Sequence, residues 1–200
     1  LVGQIQSQGG TALAIQADSA DVVAIARAVT TTVAHFGTLN ILVNNAGILQ
    51  LGSVDEFSLE DFDRMFAVNV RATFAAAKAA SAVMRSGDRI ISVGSVVAQR
   101  SAFPGSSVYS MTKAAIAGMI RGLAIDFAPR GITVNNVQPG PTSTDMNPAD
   151  APHADLIKSL VPLGRTGTAD EIAGMVAYLA SEEAAFVTGA SLSIDGGYLA

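Results

Sequence analysis

Tyr109 and Lys113 stand four residues apart in the run Tyr109-Ser110-Met111-Thr112-Lys113, with Ser95 upstream. On a helix, residues four apart share a face one turn on, so this spacing sets an ammonium beside a phenol. A phenol with a cation at its side suits proton transfer. Spacing alone proves little, because in a chain with this many tyrosines and lysines an interval of four arises by chance in roughly 5% of cases. The pair gains weight only from the elements that hold it and the residues that join it.

Composition sets the frame for those elements. Half of the 200 residues are hydrophobic and 14% are charged, which suits a single domain spanning residues 1–200. The net charge is −5 and the basic residues are scattered singly, so no basic stripe offers itself to nucleic acid. Cysteine is absent, which removes disulfides, thiolate nucleophiles and Cys-based zinc sites. His35 and His153 lie far apart without ligand-like spacing and read as solvated, so no metal is expected. The apolar stretch from Met65 to Met84 is broken by Arg71 and Lys78, and the run from Ile172 falls far short of the ~20 residues a bilayer requires. No membrane segment and no secretory signal are expected, and with no cysteine the chain reads as cytoplasmic.

Beta-branched and aliphatic runs alternate with longer amphipathic or Ala-rich stretches. Strands are predicted at Thr11 to Ala17, Leu39 to Asn44, Arg89 to Val93, Thr133 to Gln138 and Ala190 to Ile194. Helices are predicted at Asp21 to Phe36, Leu59 to Met84, Val108 to Ala128, Asp150 to Leu160 and Ala169 to Ala180. Ser58 and Thr168, each followed by acids in the first turn, are N-cap signals. Strands alternating with helices argue for an α/β fold, a doubly wound parallel sheet covered on both faces. In such sheets ligands bind outside the carboxyl ends of the strands. Asp18, Asn44-Asn45-Ala46-Gly47, Ser95 and Pro139-Gly140 all follow predicted strands, although turns use the same residue types.

Taken together, Asn44-Asn45-Ala46-Gly47, Asn69 within Val68-Asn69-Val70, Ser95, Tyr109 with Lys113, and Pro139-Gly140 resemble the classical short-chain dehydrogenases/reductases in order and approximate spacing. Thr188-Gly189 and Asp195-Gly196-Gly197 are similar to that family's last strand and its flanking turns. The resemblance runs from about Gly10 to the end. It implies a Rossmann fold, a nicotinamide cofactor (NAD or NADP, with NADP favoured) and hydride transfer between its ring and a small-molecule ketone or secondary alcohol. It implies a catalytic set of Asn69, Ser95, Tyr109 and Lys113, with the last two also touching the cofactor. Asp18 then meets the adenine end, Asn45, Ala46 and Gly47 the adenosine ribose, and Thr142 and Thr144 the carboxamide, with Pro139 and Gly140 before them also binding the cofactor.

The chemistry of the residues agrees. A tyrosine of pKa about 10 serves as acid and base near neutrality only if its phenolate is stabilised by roughly 3 units, and Lys113 is the expected source. Ser95 can donate to the substrate oxygen where charge develops. Asn is a poor helix former, so Asn69 inside a helical run marks an irregularity. The family's matching Asn supports a water beside the lysine.

One part of the pattern is absent from the residues. A Gly-rich turn between a first strand and a helix should precede Asp18, whereas the chain opens with Leu1-Val2-Gly3-Gln4-Ile5-Gln6, which reads as a helix end closed by Gly9-Gly10. In strand order 3-2-1-4-5-6, the Thr11 segment reaches the Leu39 strand only through two others. The expectation is a chain missing its first β-α-β unit, roughly 30 or more residues.

The resemblance also implies a homotetramer built from the Leu59 and Val108 helices, the latter carrying Ala114, Ala117, Gly118 and Gly122. Reduction of a 3-oxoacyl carrier-protein thioester is an activity of similar proteins, although an acidic carrier needs a basic patch and Arg130 has few companions. The segment from Pro141 to Leu163, with Met146, Leu156, Ile157, Leu160 and Val161, suggests a partly apolar lid. An alternative is a regulatory protein binding a cyclic dinucleotide, because Gln138-Pro139-Gly140-Pro141 and Asn147-Pro148-Ala149-Asp150 are similar to bacterial relatives with that role. A retained Asn69, Ser95, Tyr109 and Lys113 set argues for catalysis.

Overall fold

The computed structural model describes residues 1–101, 103–148, 150, 152 and 154–200. Four parallel strands, β1 (Ile41–Asn44), β2 (Arg89–Val93), β3 (Thr133–Pro139) and β4 (Ser191–Ile194), lie in the order β1-β2-β3-β4. Their register sets Asn44 beside Ser92, Ser92 beside Asn136, and Asn136 beside Ser191.

Helices cover both faces. The helices described are α1 (Val2–Ser7), α2 (Val22–Phe36), α3 (Leu59–Phe66), α4 (Ala72–Ser81), α5 (Ser107–Phe127), α6 (Ala154–Ser159) and α7 (Ala169–Ala180), of which α4 and α5 pack on one face and α7 on the other. Side chains alternate across a strand, and the two cores follow that alternation. Ile90 and Val134 pack with Ala77, Ala80, Ile116 and Ile120 of α4 and α5. Ile91 and Val137 pack with Leu179 of α7 on the other face. The expected α/β doubly wound parallel sheet is therefore present.

The helix ends form for the reasons the sequence offered. Asp21 caps α2 by accepting from Val23 N and Ala24 N, and Ser58 caps α3 by accepting from Asp61 N. Thr168 and Glu171 close a reciprocal capping box on α7. Gly37 ends α2 at φ 82°, a left-handed conformation that glycine adopts without steric cost.

Three expectations need correction. Residues 11–17 are irregular, not a strand. A strand exists by hydrogen-bonding a neighbour, and no described strand lies alongside them. The single helix expected from Leu59 to Met84 is divided by a π-turn, Ala67–Arg71, and ends at Ser81. The helix expected from Asp150 is described from Ala154 to Ser159; its predicted start overlaps Ala151 and His153, which with Ala149 and Ala102 lie outside the described residues, as does the solvated reading of His153. His35 is exposed. Among the described residues no helix is long and apolar enough to cross a membrane.

Candidate active site

The ends of β1, β2 and β3 and the first turns of α5 bring the expected residues together. Ser95 follows β2 and caps the short 3-10 turn Val96–Ala98, its hydroxyl accepting from Val97 N. Tyr109 and Lys113 lie in α5, whose buried positions Val108, Thr112, Ile116 and Ile120 anchor it to the sheet. The Lys113 ammonium is 5.7 Å from the centre of the Tyr109 ring and donates to the Val93 carbonyl at 3.0 Å.

Burial decides the protonation of both groups. It pushes the Tyr109 phenol above its ordinary value, with a hydrogen bond to the Ser95 hydroxyl working against the shift. It brings Lys113 down to about 8. The ammonium sits against the ring face and a backbone carbonyl, itself short of solvent, so without a bound cofactor burial sets the direction of both shifts.

Asn69 occupies the π-turn and is 1% exposed. Its Oδ1 accepts from Ile48 N at 2.8 Å, and its Nδ2 donates to Ile48 O and to Thr112 Oγ1. Thr112 in turn donates to the Tyr109 carbonyl at 2.8 Å. Asn69 therefore ties the chain just after Gly47 to the turn of α5 between Tyr109 and Lys113. The wider π-turn is a recurrent feature of functional sites, and here its residue makes the cross-link. A Cβ on Gly47 would stand 3.4 Å from Asn69 Oδ1 and 3.6 Å from Lys113 Nζ, in ordinary contact, so the backbone at Gly47 lies close to both.

A cleft of about 430 Å³ opens at the β1 end, lined by Ala17, Asp18, Ala46, Gly47, Arg64 and Val68 among others. Asp18 turns its carboxylate onto Ala20 N at 2.8 Å, while Asn45 and Ala46 are exposed at the rim. Pro139 ends β3 and pairs with Ile194. Gly140 is required by packing, since a Cβ there would meet Asp195 Cα at 2.6 Å. Thr142 donates to the Gly140 carbonyl at 2.9 Å, and Thr144 exchanges backbone hydrogen bonds with Asn147 in the next turn. In the expected lid, Val161 is buried beside Val96 and Tyr198, whereas Met146 and Leu156 are exposed.

The structure adds residues that the sequence reading passed over. Thr112 is fully buried, and its place between Tyr109 and Lys113 was visible in the sequence. Gln99 donates to Gln138 Oε1 at 2.5 Å and Arg100 donates to the Tyr198 carbonyl, fastening the loop after Ser95 to β3 and to the C-terminal turn. Gly52 N donates to Gly105 O at 3.1 Å, pinning that same loop to the one after β1. Arg64 in the cleft belongs to the last turn of α3, and only the three-dimensional path of α3 reveals it. The cleft, with Ala46 and Gly47 in its lining, leaves room for part of a nicotinamide dinucleotide, which would supply a transferable hydride when bound.

Comparison with known proteins agrees with the geometry. Residues 1–199 match the family described as enoyl-(acyl carrier protein) reductase. A curated relative from Escherichia coli, the cyclic-di-GMP-binding biofilm dispersal mediator protein, is 47% identical over 193 residues, covering 96% of this chain and 79% of the relative. The solved short-chain dehydrogenase/reductase from Serratia marcescens is 53% identical with a TM-score of 0.98, covering all of this chain and 81% of the other. A short-chain dehydrogenase from Burkholderia cenocepacia, solved in complex with NADP, is 48% identical with the same TM-score and the same coverage. With its fold, site and relatives in agreement, this chain belongs to the short-chain dehydrogenase/reductase family of NAD(P)-dependent oxidoreductases.

Proposed function

We propose that the protein interconverts a small-molecule ketone and a secondary alcohol at the Ser95–Tyr109–Lys113 site, using NADP in preference to NAD. The observation that carries this reading is the convergence of Asn69 and Lys113 on Gly47, with Tyr109 on the next turn of the same helix. Ser95 donates to the substrate oxygen and orients it, and Tyr109 delivers the proton to that oxygen as negative charge builds there. Lys113, brought to about 8 by burial, holds the ribose hydroxyls of a bound nicotinamide nucleotide. Its proton balance is set within the working range of pH, so it can pass a proton onward. Asn69 and Thr112 fix the relation of the cofactor loop to α5.

Asp18, Asn45, Ala46 and Gly47 take the adenosine end in this reading, and Pro139, Gly140, Thr142 and Thr144 the carboxamide end. The choice of NADP is supported by the Burkholderia relative, solved with NADP. A 3-oxoacyl thioester is the finer substrate proposal, supported by the acyl-carrier description of the matched family. Met111, Gly118, Gly122 and Ile125 form an exposed stripe along α5, and Phe74 is exposed on α4, which supports a homotetramer. We place the protein in the cytoplasm on the sequence grounds given above.

Reduced-cofactor absorbance followed with a ketone panel tests the activity. Tyr109→Phe should lower kcat about 1,000-fold or more with the fold intact; unchanged turnover would remove Tyr109 from the mechanism. The second reading, binding of a cyclic dinucleotide, rests on the printed function of the Escherichia coli relative. Calorimetric binding of cyclic-di-GMP by a protein that turns over no ketone or alcohol would favour it over catalysis.

A further inference from the structure

A polar row crosses the sheet just below the catalytic residues. Asn44, Ser92, Asn136 and Ser191 are register partners on four successive strands. Alternation places them on the face that carries Ile90 and Val134, the side of α4 and α5. Asn44 Nδ2 donates to Ser92 Oγ at 3.4 Å and Asn136 Nδ2 donates to Ser191 Oγ at 3.1 Å.

Asn136 is the unusual member. It is wholly buried, and its Oδ1 has no hydrogen-bond partner among the described residues. Leaving a buried acceptor unpaired is costly, and such costs persist where the surrounding structure needs the group for another reason. The other unpartnered buried atoms, Arg89 Nε and Thr133 Oγ1, sit at the far ends of β2 and β3, where those residues pair in register.

The Asn136 carboxamide points at Gly94, the residue before Ser95. A Cβ built on Gly94 would stand 2.6 Å from Oδ1, 2.9 Å from Nδ2 and 3.1 Å from Cγ. The amide thus fills the space a side chain at position 94 would take. It cannot swing aside without breaking its bond to Ser191, and Gly94 is also held to β3 by its N–H on the Val137 carbonyl at 2.7 Å.

We infer that Asn136 is a positioning residue for Ser95: its carboxamide, braced by Ser191, fixes the backbone at Gly94 and with it the direction of the Ser95 hydroxyl toward Tyr109. This rests on the oxidoreductase reading above. Misplacing a group that orients substrate by a fraction of an ångström costs turnover more than binding. The effect should therefore fall on kcat and leave the cofactor KM in place.

The test is a cycle of Gly94→Ala, Asn136→Ala and the double variant in the full-length protein, read by steady-state ketone reduction with NADPH and by circular dichroism. Gly94→Ala should lower kcat about 100-fold and Asn136→Ala about 10-fold, with the cofactor KM within about 2-fold. The double variant, in which the shortened residue 136 makes room for the new methyl group, should recover to within about 10-fold of wild type. Should Gly94→Ala fail to fold, a folded and active double variant supports the inference equally. Independent effects in the cycle, or a folded Asn136→Ala with wild-type kcat, overturn it. Wild-type protein inactive on every ketone and alcohol overturns the oxidoreductase reading and this inference together, whereas an active wild type with additive variants overturns the inference alone.

Discussion

Among the described residues, β2 and β3 each have a hydrogen-bonded neighbour on both sides, whereas β1 has one. The side chains register the difference. Ile91, Val134 and Val137 are fully buried, while Ile41 and Val43 of β1 are 44% and 41% exposed. The site is divided along the same line. Ser95, Tyr109 and Lys113 stand on the closed region, where α5 is seated on a continuous core. Asp18, Asn45 and Ala46 stand on the open side, exposed. Groups that move protons need fixed geometry, and they are mounted where many buried contacts resist displacement.

The largest expected contrast comes from equal truncations in the two regions. Ile91→Ala should cost about 3 to 4 kcal/mol, since its methylenes are lost from a site with no solvent and little room to collapse. Val43→Ala, already in part solvated, should cost below about 1 kcal/mol. Urea denaturation of the two variants measures both. Similar losses would mean that β1 is as well covered as β2 in the working protein, and the division drawn above would fail.

Acidity offers a second handle on the closed region. Burial lowers Lys113 to about 8 from 10.5, so between those values the unfolded chain holds a proton that the folded chain has released. Stability then rises with pH through this window, by about 3 kcal/mol from this group. Tyr109, raised by burial, acts in the opposite sense only above its ordinary value, where the unfolded chain gives up its phenol proton first. Lys113→Met should flatten the rise between pH 7.5 and 10 and be the more stable protein at the lower end. Parallel pH profiles for wild type and variant would show that Lys113 is solvated.

How much of this was legible in the sequence follows the same division. β2 and β3 were read within a residue or so because both their faces are buried, α5 because one apolar face is seated on the core, and Ser58 and Thr168 marked their helices by local capping. The segment from Thr11 to Ala17 has strand-like residues, yet a strand is made by its neighbours, and propensity does not supply them. The π-turn at Asn69 was visible only as a misplaced Asn. Asn136 and Gly94 gave no signal, because their relation is a contact between two strands. The directions of the Tyr109 and Lys113 shifts depended on the depth of burial, which spacing does not encode.

The smallest effect concerns the outer surface of α5. Gly122 lies on this helix with nothing within 4 Å of the place a Cβ would take, so in a lone subunit Gly122→Ala only replaces a poor helix former with the best. That should stabilise the fold by about 1 kcal/mol. In the proposed tetramer the same glycine lets a neighbouring helix approach, and an added methyl group would hold it off. Unfolding and sedimentation velocity together separate the two. The expected result is a more stable subunit with a weaker assembly, the sedimentation coefficient falling as the protein is diluted. A variant that gains stability and keeps its assembly at every dilution would show that subunits meet elsewhere, leaving the α5 stripe to solvent despite its exposed Met111 and Ile125.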